Sequence, residues 1–374
     1  MSGIVWCARP LLLGVATAWI GLAAGSALAQ EPGERERYAW PLPAWMPPPP
    51  VPPDNPMSAA KVALGRRLFY DGRVAGLNYM SCSTCHKPEL AFSDGRPVAI
   101  GLTGQRHPRN SQGLANVAYL PRLTWADPGV TSLEDQTKLP LFGEHPVEMM
   151  ANGREEAIVA RLTVDLDYRR LFAAAFPESG GRIDFVAIRK ALAAFERTIV
   201  SFDSPWDRWR HGGDETAVGA SAKRGEALFL GEQLRCGRCH APPLFTDAAA
   251  GEGYHNTGLY DLDGGGAYPM GNQGLVEHTG VPADMGRFRT PSLRNVAVTA
   301  PYMHDGSAAT LGEVIDDYAA GGRAARTGAR SPLTSPLVAG FSLSEDEKAG
   351  LLAFLNALTD RQFLTSEALR SPFH

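Results

Sequence analysis

Cys82-Ser-Thr-Cys85-His86 and Cys236-Gly-Arg-Cys239-His240 decide how this chain is read. Two thiols three positions apart, with an imidazole directly after them, suit covalent haem attachment. The thiols add across the two vinyl groups, and the histidine reaches the iron from the proximal side. A thioredoxin-type redox pair or half of a zinc site uses the same thiols. Two runs that both end in His, with no second cysteine pair nearby to complete a zinc site, favour haem c at each. Cys82, Cys85, Cys236 and Cys239 are therefore expected to hold two haem c groups, with His86 and His240 as axial iron ligands.

The sequence around the motifs also repeats. Ser58-Ala-Ala-Lys-Val-Ala-Leu-Gly-Arg-Arg-Leu-Phe-Tyr70 opens with a good N-cap and places Val62, Gly65, Leu68 and Phe69 on one helical face. A second copy, Ser221-Ala-Lys-Arg-Gly-Glu-Ala-Leu-Phe229, puts Gly225, Leu228 and Phe229 in the matching places. Each copy precedes a Cys-x-x-Cys-His run, so the order of features argues for an internal duplication. Phe185, Ile188, Leu192, Phe195 and Ile199 predict one packed helix over residues 184–209. Ser344 and Glu347 form a capping-box pattern that starts a last helix. Alternating runs are few. The expected fold is mainly α, two cytochrome c-like haem domains with long loops, divided as 58–213 and 214–374.

At 374 residues, with 44% hydrophobic and 20% charged, the composition is that of a globular protein, and two domains fit the length. Gly 40 and Pro 29 explain the expectation of long loops. Residues 1–29 carry Arg9, an apolar run over 11–24 and the small triplet ending at Ala29, the pattern of a signal peptide cleaved before Gln30. The apolar run is shorter than the ~20 residues that cross a bilayer, so the mature chain is expected to have no membrane span. The fifth cysteine, Cys7, leaves with this segment, and the destination is the periplasm. The net charge of −4 and the absence of a basic patch speak against nucleic acid. Residues 30–57 form a Pro-rich arm, expected to lie on the body with Trp40 and Trp45 as apolar pegs or to dock a partner.

From Ser58 to about Thr359 the chain resembles the bacterial dihaem cytochrome c peroxidase and MauG superfamily. The likeness is carried by Leu64-Gly-Arg-Arg-Leu-Phe-Tyr70, Pro108-Arg-Asn110, Pro146-Val-Glu-Met149, Ala194-Phe-Glu-Arg-Thr198, Arg289-Thr-Pro-Ser-Leu-Arg-Asn295 and Thr299-Ala-Pro-Tyr-Met-His-Asp-Gly306, besides both haem motifs. In the typical peroxidase a distal His precedes the Pro-Arg-Asn motif; the aligned residue here is Leu102, which cannot bind iron. The resemblance thus implies an open, peroxide-reactive first haem, with His107 as a substitute ligand or a hydrogen-bonding residue. Glu148 matches the family's distal acid-base group and Pro140 its distal-pocket proline, although the interval between them is longer than usual. The position of the peroxidases' axial Met is Tyr318, as in MauG, with Met285 and Met303 as fallback ligands. A phenolate stabilises oxidised iron, whereas a thioether favours the reduced state.

The resemblance further implies that Trp125 relays charge between the haems, and that Asn110 with the carbonyls of Thr299 and Pro301 holds Ca2+. Leu234 stands where MauG carries a surface Trp near its second haem motif, so the exit path is not inherited. A closer likeness is to the MauG-like enzymes paired with copper-binding MbnP-like proteins, the MbnH group. It rests on Trp40-Pro-Leu-Pro, Val51-Pro-Pro-Asp-Asn-Pro-Met-Ser58, Leu123-Thr-Trp-Ala126 and Pro140-Leu-Phe-Gly-Glu-His-Pro-Val-Glu148. It implies that hydrogen peroxide drives formation of a bis-Fe(IV) state that oxidises a tryptophan on the partner protein. The alternatives are a cytochrome c peroxidase fed by a small cytochrome, and a non-catalytic electron-transfer cytochrome.

Overall fold

Ser58 accepts the Lys61 N–H and starts α1 (Ala59–Tyr70), as the sequence predicts. In the computed structural model, residues 1–3, 38–251, 253–328 and 330–373 are described. Apart from its first three residues, the expected signal peptide, with Cys7 and its cleavage point, lies outside them. After α1 come α2 (Leu133–Gln136), α3 (Lys138–Phe142), α4 (Glu155–Thr163), α5 (Leu166–Ala175) and α6 (Phe185–Glu196). Then follow α7 (Pro205–Arg210), α8 (Ala220–Leu230), α9 (Val276–Thr279), α10 (Leu311–Ala319), α11 (Arg323–Thr327), α12 (Glu345–Ala357) and α13 (Arg361–Leu364). Among the described residues the one sheet pairs β1 (Tyr254–Asn256) antiparallel with β2 (Arg287–Arg289). The fold is mostly helical, and long loops join the helices.

The same helix crossing occurs twice. α1 packs on α6, and α8 packs on α12. A Cβ on Gly65 would stand 1.9 Å from the Ala191 carbonyl oxygen, and one on Gly225 would stand 1.9 Å from that of Gly350. The two glycines that match in the sequence therefore share one task, to let a neighbouring backbone approach. Around each crossing sits a trio of phenylalanines. Phe69 meets Phe92 and Phe195 at 5.9 and 5.2 Å, while Phe229 meets Phe245 and Phe354 at 6.5 and 5.1 Å. Burying one such ring contributes about 1.5–3 kcal/mol.

The helix expected over residues 184–209 is two helices. α6 stops at Glu196, and the chain runs extended until Ser204 caps α7 by accepting the Asp207 N–H. Pro205 bars one continuous helix, because it lacks an N–H and clashes with a preceding helical turn, yet it suits the first position of α7. Each of the two cores also draws on a distant part of the chain. Trp206 of α7 packs in the core around α8 and α12, and Phe363 and Leu369 from the C-terminal tail pack in the core around α1 and α6. Tyr70 Oη donates to the Leu369 carbonyl at 2.6 Å, which fastens that return.

The arm lies on the body. Trp45 meets Phe202 edge-on at 5.5 Å, Tyr119 Oη donates to the Pro47 carbonyl at 2.8 Å, and Asn55 Nδ2 donates to Glu134 Oε1 at 2.6 Å. Trp40 has an edge contact with Tyr38 at 5.0 Å. The glycine crossings yield a test. Gly65→Ala or Gly225→Ala should destabilise the holoprotein by about 1–3 kcal/mol or more, because the added methyl collides with backbone. Thermal melts of the two variants should both fall, whereas Gly312→Ala, inside α10 and with nothing nearer than 3.7 Å to the added Cβ, should melt no lower than the parent.

Candidate active site

Each Cys-x-x-Cys-His run forms a short 3-10 turn, Cys82–Thr84 in the first and Cys236–Arg238 in the second. All four cysteines are free thiols. His86 Nδ1 donates to the Phe92 carbonyl at 2.6 Å, and His240 Nδ1 donates to the Phe245 carbonyl at 3.0 Å. That bond leaves Nε2 as the lone-pair nitrogen of each ring, the form that binds iron. Phe92 and Phe245 both sit at positive φ, +63° and +54°. Non-glycine residues rarely adopt this conformation, and here it turns each carbonyl toward its histidine.

Around Leu102 and Glu148, two loops are laced together. The Leu102 N–H donates to the Glu148 carbonyl at 2.8 Å, Tyr79 Oη donates to the Leu102 carbonyl at 2.9 Å, and the Val147 N–H donates to Gln105 Oε1 at 2.8 Å. Gly101 permits this approach, since a Cβ there would lie 2.0 Å from the Val147 carbonyl oxygen. Pro140, inside α3, accepts the Met149 N–H at 2.9 Å, so Pro140 and Glu148 belong to one wall despite the longer interval between them. Burial raises the Glu148 carboxyl to about 7. His107 Nε2 lies 3.8 Å from Glu148 Oε1, while its Nδ1 accepts the Arg109 N–H at 3.0 Å. Of its two expected roles, this geometry fits hydrogen bonding beside the acid.

The second motif opens on a large cavity lined by Cys236, Cys239, His240 and, from α10, Tyr318. Burial pushes the Tyr318 phenol above its usual range. Met303 also lines this cavity, whereas Met285 packs beside Trp125 and Tyr268. Leu234 is buried in the wall. Trp125 reaches the cavity too, with Nε1 donating to the Asn110 carbonyl at 2.8 Å. Asn110, Thr299 and Pro301 come together in the same wall. The Asn110 amide donates to the carbonyls of Arg96 and Pro97, at 2.8 and 3.2 Å.

Several groups here are not legible from motif spacing. His304 stacks on Phe288 at 3.6 Å, is buried, and has Nε2 without a partner among the described residues, beside the cavity. Burial lowers its pKa to about 3, so the ring is neutral. His255 meets Asp247 at 2.6 Å against Cys239, and the Asp247 hydrogen bond pushes its pKa up to about 9. Glu196, inside the Phe-Glu-Arg element of α6, is held near 8 by burial. A cavity edged by two free thiols, a lone-pair imidazole and an orphaned buried nitrogen fits haem c. Cys82, Cys85 and His86 would hold one group, and Cys236, Cys239 and His240 the other.

Helical haem-binding motifs with an acid beside a residue that cannot ligate iron define a haem oxidoreductase. The comparisons agree. The family described as dihaem cytochrome c peroxidase matches residues 59–216. The chain is 38% identical over 341 residues to the cytochrome-c peroxidase IdrP1 of Denitromonas iodatirespirans, covering 84% of this chain and 85% of that one. It is 38% identical over 312 residues to the methylamine utilization protein MauG of Methylorubrum extorquens, covering 83% and 81%. A crystal structure of a MauG-like protein associated with microbial copper homeostasis is 48% identical, with a TM-score of 0.86, over 90% of this chain and 100% of that one. The chain belongs to the dihaem cytochrome c peroxidase and MauG family and is a haem oxidoreductase of peroxidase type.

With Glu148 as the proposed acid-base group, burial of its carboxyl predicts a pH dependence. Only the carboxylate can take a proton from peroxide, and this carboxyl loses its own proton near pH 7. The rate of reaction with peroxide should therefore fall as pH drops through about 7. Glu148→Gln should lower it by about 10²–10⁴-fold and remove that pH step, with the resting absorption spectrum retained. Stopped-flow mixing with peroxide measures both.

Proposed function

We propose that this protein uses hydrogen peroxide, at the site beside Glu148, to oxidise a residue of a partner protein. The observation that carries the reading is Leu102: an apolar side chain, 6% exposed, bonded through its backbone to Glu148 where a peroxidase presents a distal histidine. When bound, haem c would supply the iron that gives electrons to peroxide. Glu148 accepts the proton of the incoming peroxide and returns it to the departing oxygen, so that water leaves. His107, next to it, has an Nε2 able to exchange that proton. At the second site Tyr318, with His240, would hold the haem iron, and its phenol is a hard oxygen donor suited to oxidised iron. Trp125, between the two sites, is the proposed relay.

The likeness to the copper-homeostasis structure supports a copper-binding partner of the MbnP type and a tryptophan as the oxidised residue. The two halves, 58–213 and 214–374, are proposed to be repeats. Matched glycine crossings, phenylalanine trios and imidazole–carbonyl bonds support this. Asn110 with the carbonyls of Thr299 and Pro301 is proposed to hold Ca2+ between the halves. The pattern of residues 1–29 supports export to the periplasm, and no described helix is long and apolar enough to cross a membrane. The second reading, a peroxidase supplied by a small cytochrome, has the IdrP1 relative in its favour.

One equivalent of peroxide added to the resting diferric protein separates these readings. Mixed high- and low-spin haems followed by a long-lived near-infrared band are expected, and Tyr318→Phe should abolish that band. Two six-coordinate low-spin haems, or rapid turnover with reduced cytochrome c, would overturn the proposal. An unchanged low-spin haem in Tyr318→Phe would assign the ligand elsewhere.

A further inference from the structure

With Leu234 buried, the wall of the second site offers no indole at the place where MauG has one. The proximal side of that site offers another. The Phe245 carbonyl holds His240, and the Phe245 ring meets Trp206 at 4.8 Å. Trp206 meets His211 at 5.5 Å, and His211 stacks on Trp45 at 3.9 Å and 16°. The two indoles are thus one imidazole apart. Trp206 is 3% exposed, whereas Trp45 is half-buried on the Pro-rich arm and His211 is exposed. The ring series runs from beneath the second iron ligand to the surface.

The surroundings of Trp206 suit oxidation as well as packing. Its Nε1–H donates to Glu226 Oε1 at 2.6 Å, and Glu226 is 2% exposed. Arg210 binds the same carboxyl, with Nε donating to Oε1 at 2.8 Å. An indole has no proton acceptor of its own. A buried carboxylate on its N–H stabilises the positive charge of the oxidised ring and can take its proton. Arg294 also faces Trp206, with its guanidinium 5.5 Å from the ring, but Asp207 pairs with it at 2.5 Å and offsets its charge. A structural tryptophan would be satisfied by a backbone carbonyl. Here a buried carboxylate, paired with the exposed Arg210, is committed to one indole N–H.

We infer that Trp206 and Trp45 form an electron path from the surface of the Pro-rich arm to the proximal side of the second site, and that the partner presents its oxidisable aromatic side chain at Trp45. The inference rests on the peroxide-driven reading and adds the place where the partner docks. In each passage Trp206 gives one electron toward the peroxide-oxidised haem pair, and its N–H proton moves to Glu226. An electron from Trp45 refills Trp206, which recovers the proton. The partner's aromatic ring then reduces Trp45 by one electron. Two passages supply the two electrons that peroxide takes, and the two protons lost by the partner leave with water.

The test treats the holoprotein with peroxide in the absence of any partner and maps oxidised tryptophans by mass spectrometry, with freeze-quench electron paramagnetic resonance alongside. Trp45 and Trp206 should carry the oxidation, and a tryptophanyl radical should appear. Trp206→Phe should lower oxidation of Trp45 by about tenfold or more, equivalent to about 1.4 kcal/mol on the transfer barrier, while Trp209 stays as in the parent. Glu226→Gln should weaken the radical signal in the same direction. Trp45→Phe, a change near the surface that leaves the core intact, should lengthen the life of the peroxide-oxidised state and shift oxidation to Trp206. Should Trp45 be oxidised equally with and without Trp206, the path is wrong though the peroxide reading stands. Failure of the parent holoprotein to react with peroxide would sink both.

Discussion

Two hydrogen bonds, from His86 Nδ1 to the Phe92 carbonyl and from His240 Nδ1 to the Phe245 carbonyl, organise everything around them. Each fixes the tautomer and the plane of an imidazole and so decides which nitrogen meets iron. To make the bond, a phenylalanine must take a left-handed backbone, at a cost of order 1–3 kcal/mol. The ring of that phenylalanine anchors the strained turn by packing into the trio at the helix crossing. The crossing is tight because Gly65 and Gly225 have no Cβ. Ligand, strain, aromatic core and glycine thus form one chain of dependence, present twice.

The two haem motifs differ in their surroundings. Near the first, an aliphatic side chain and a carboxyl are brought together by backbone bonds, and burial raises the carboxyl to about 7. In the second, a helix brings a phenol to the cavity, and its surroundings include an orphaned imidazole, His304. Two similar frames therefore support unlike chemistry, because the frame sets the ligand and the loops set the rest.

Part of this is local and can be read directly. Ser58, Asp184, Ser204 and Ser344 cap the helices that follow them, since a cap needs only an oxygen within three residues of an N–H. The cysteine spacing names its cofactor for the same reason. The periodicity of residues 184–209 misleads, because apolar spacing continues on both sides of Pro205 while the backbone cannot. The expected ligand and acid-base roles at Leu102, Glu148 and Tyr318 came from family resemblance. Their neighbourhood depends on contacts between loops far apart in the chain.

The sequence by itself determined the capped helix starts and the two haem motifs, which rest on residues within a few positions of one another, and the paired order of features along the chain. Tertiary structure alone decided that the last helix returns to the first half and that Glu148 titrates near neutrality. It also decided that Trp206 lies between a buried carboxylate and the ring that carries the second ligand's acceptor. These depend on burial and on long-range packing, where desolvation and contact geometry arise only once the chain has closed on itself.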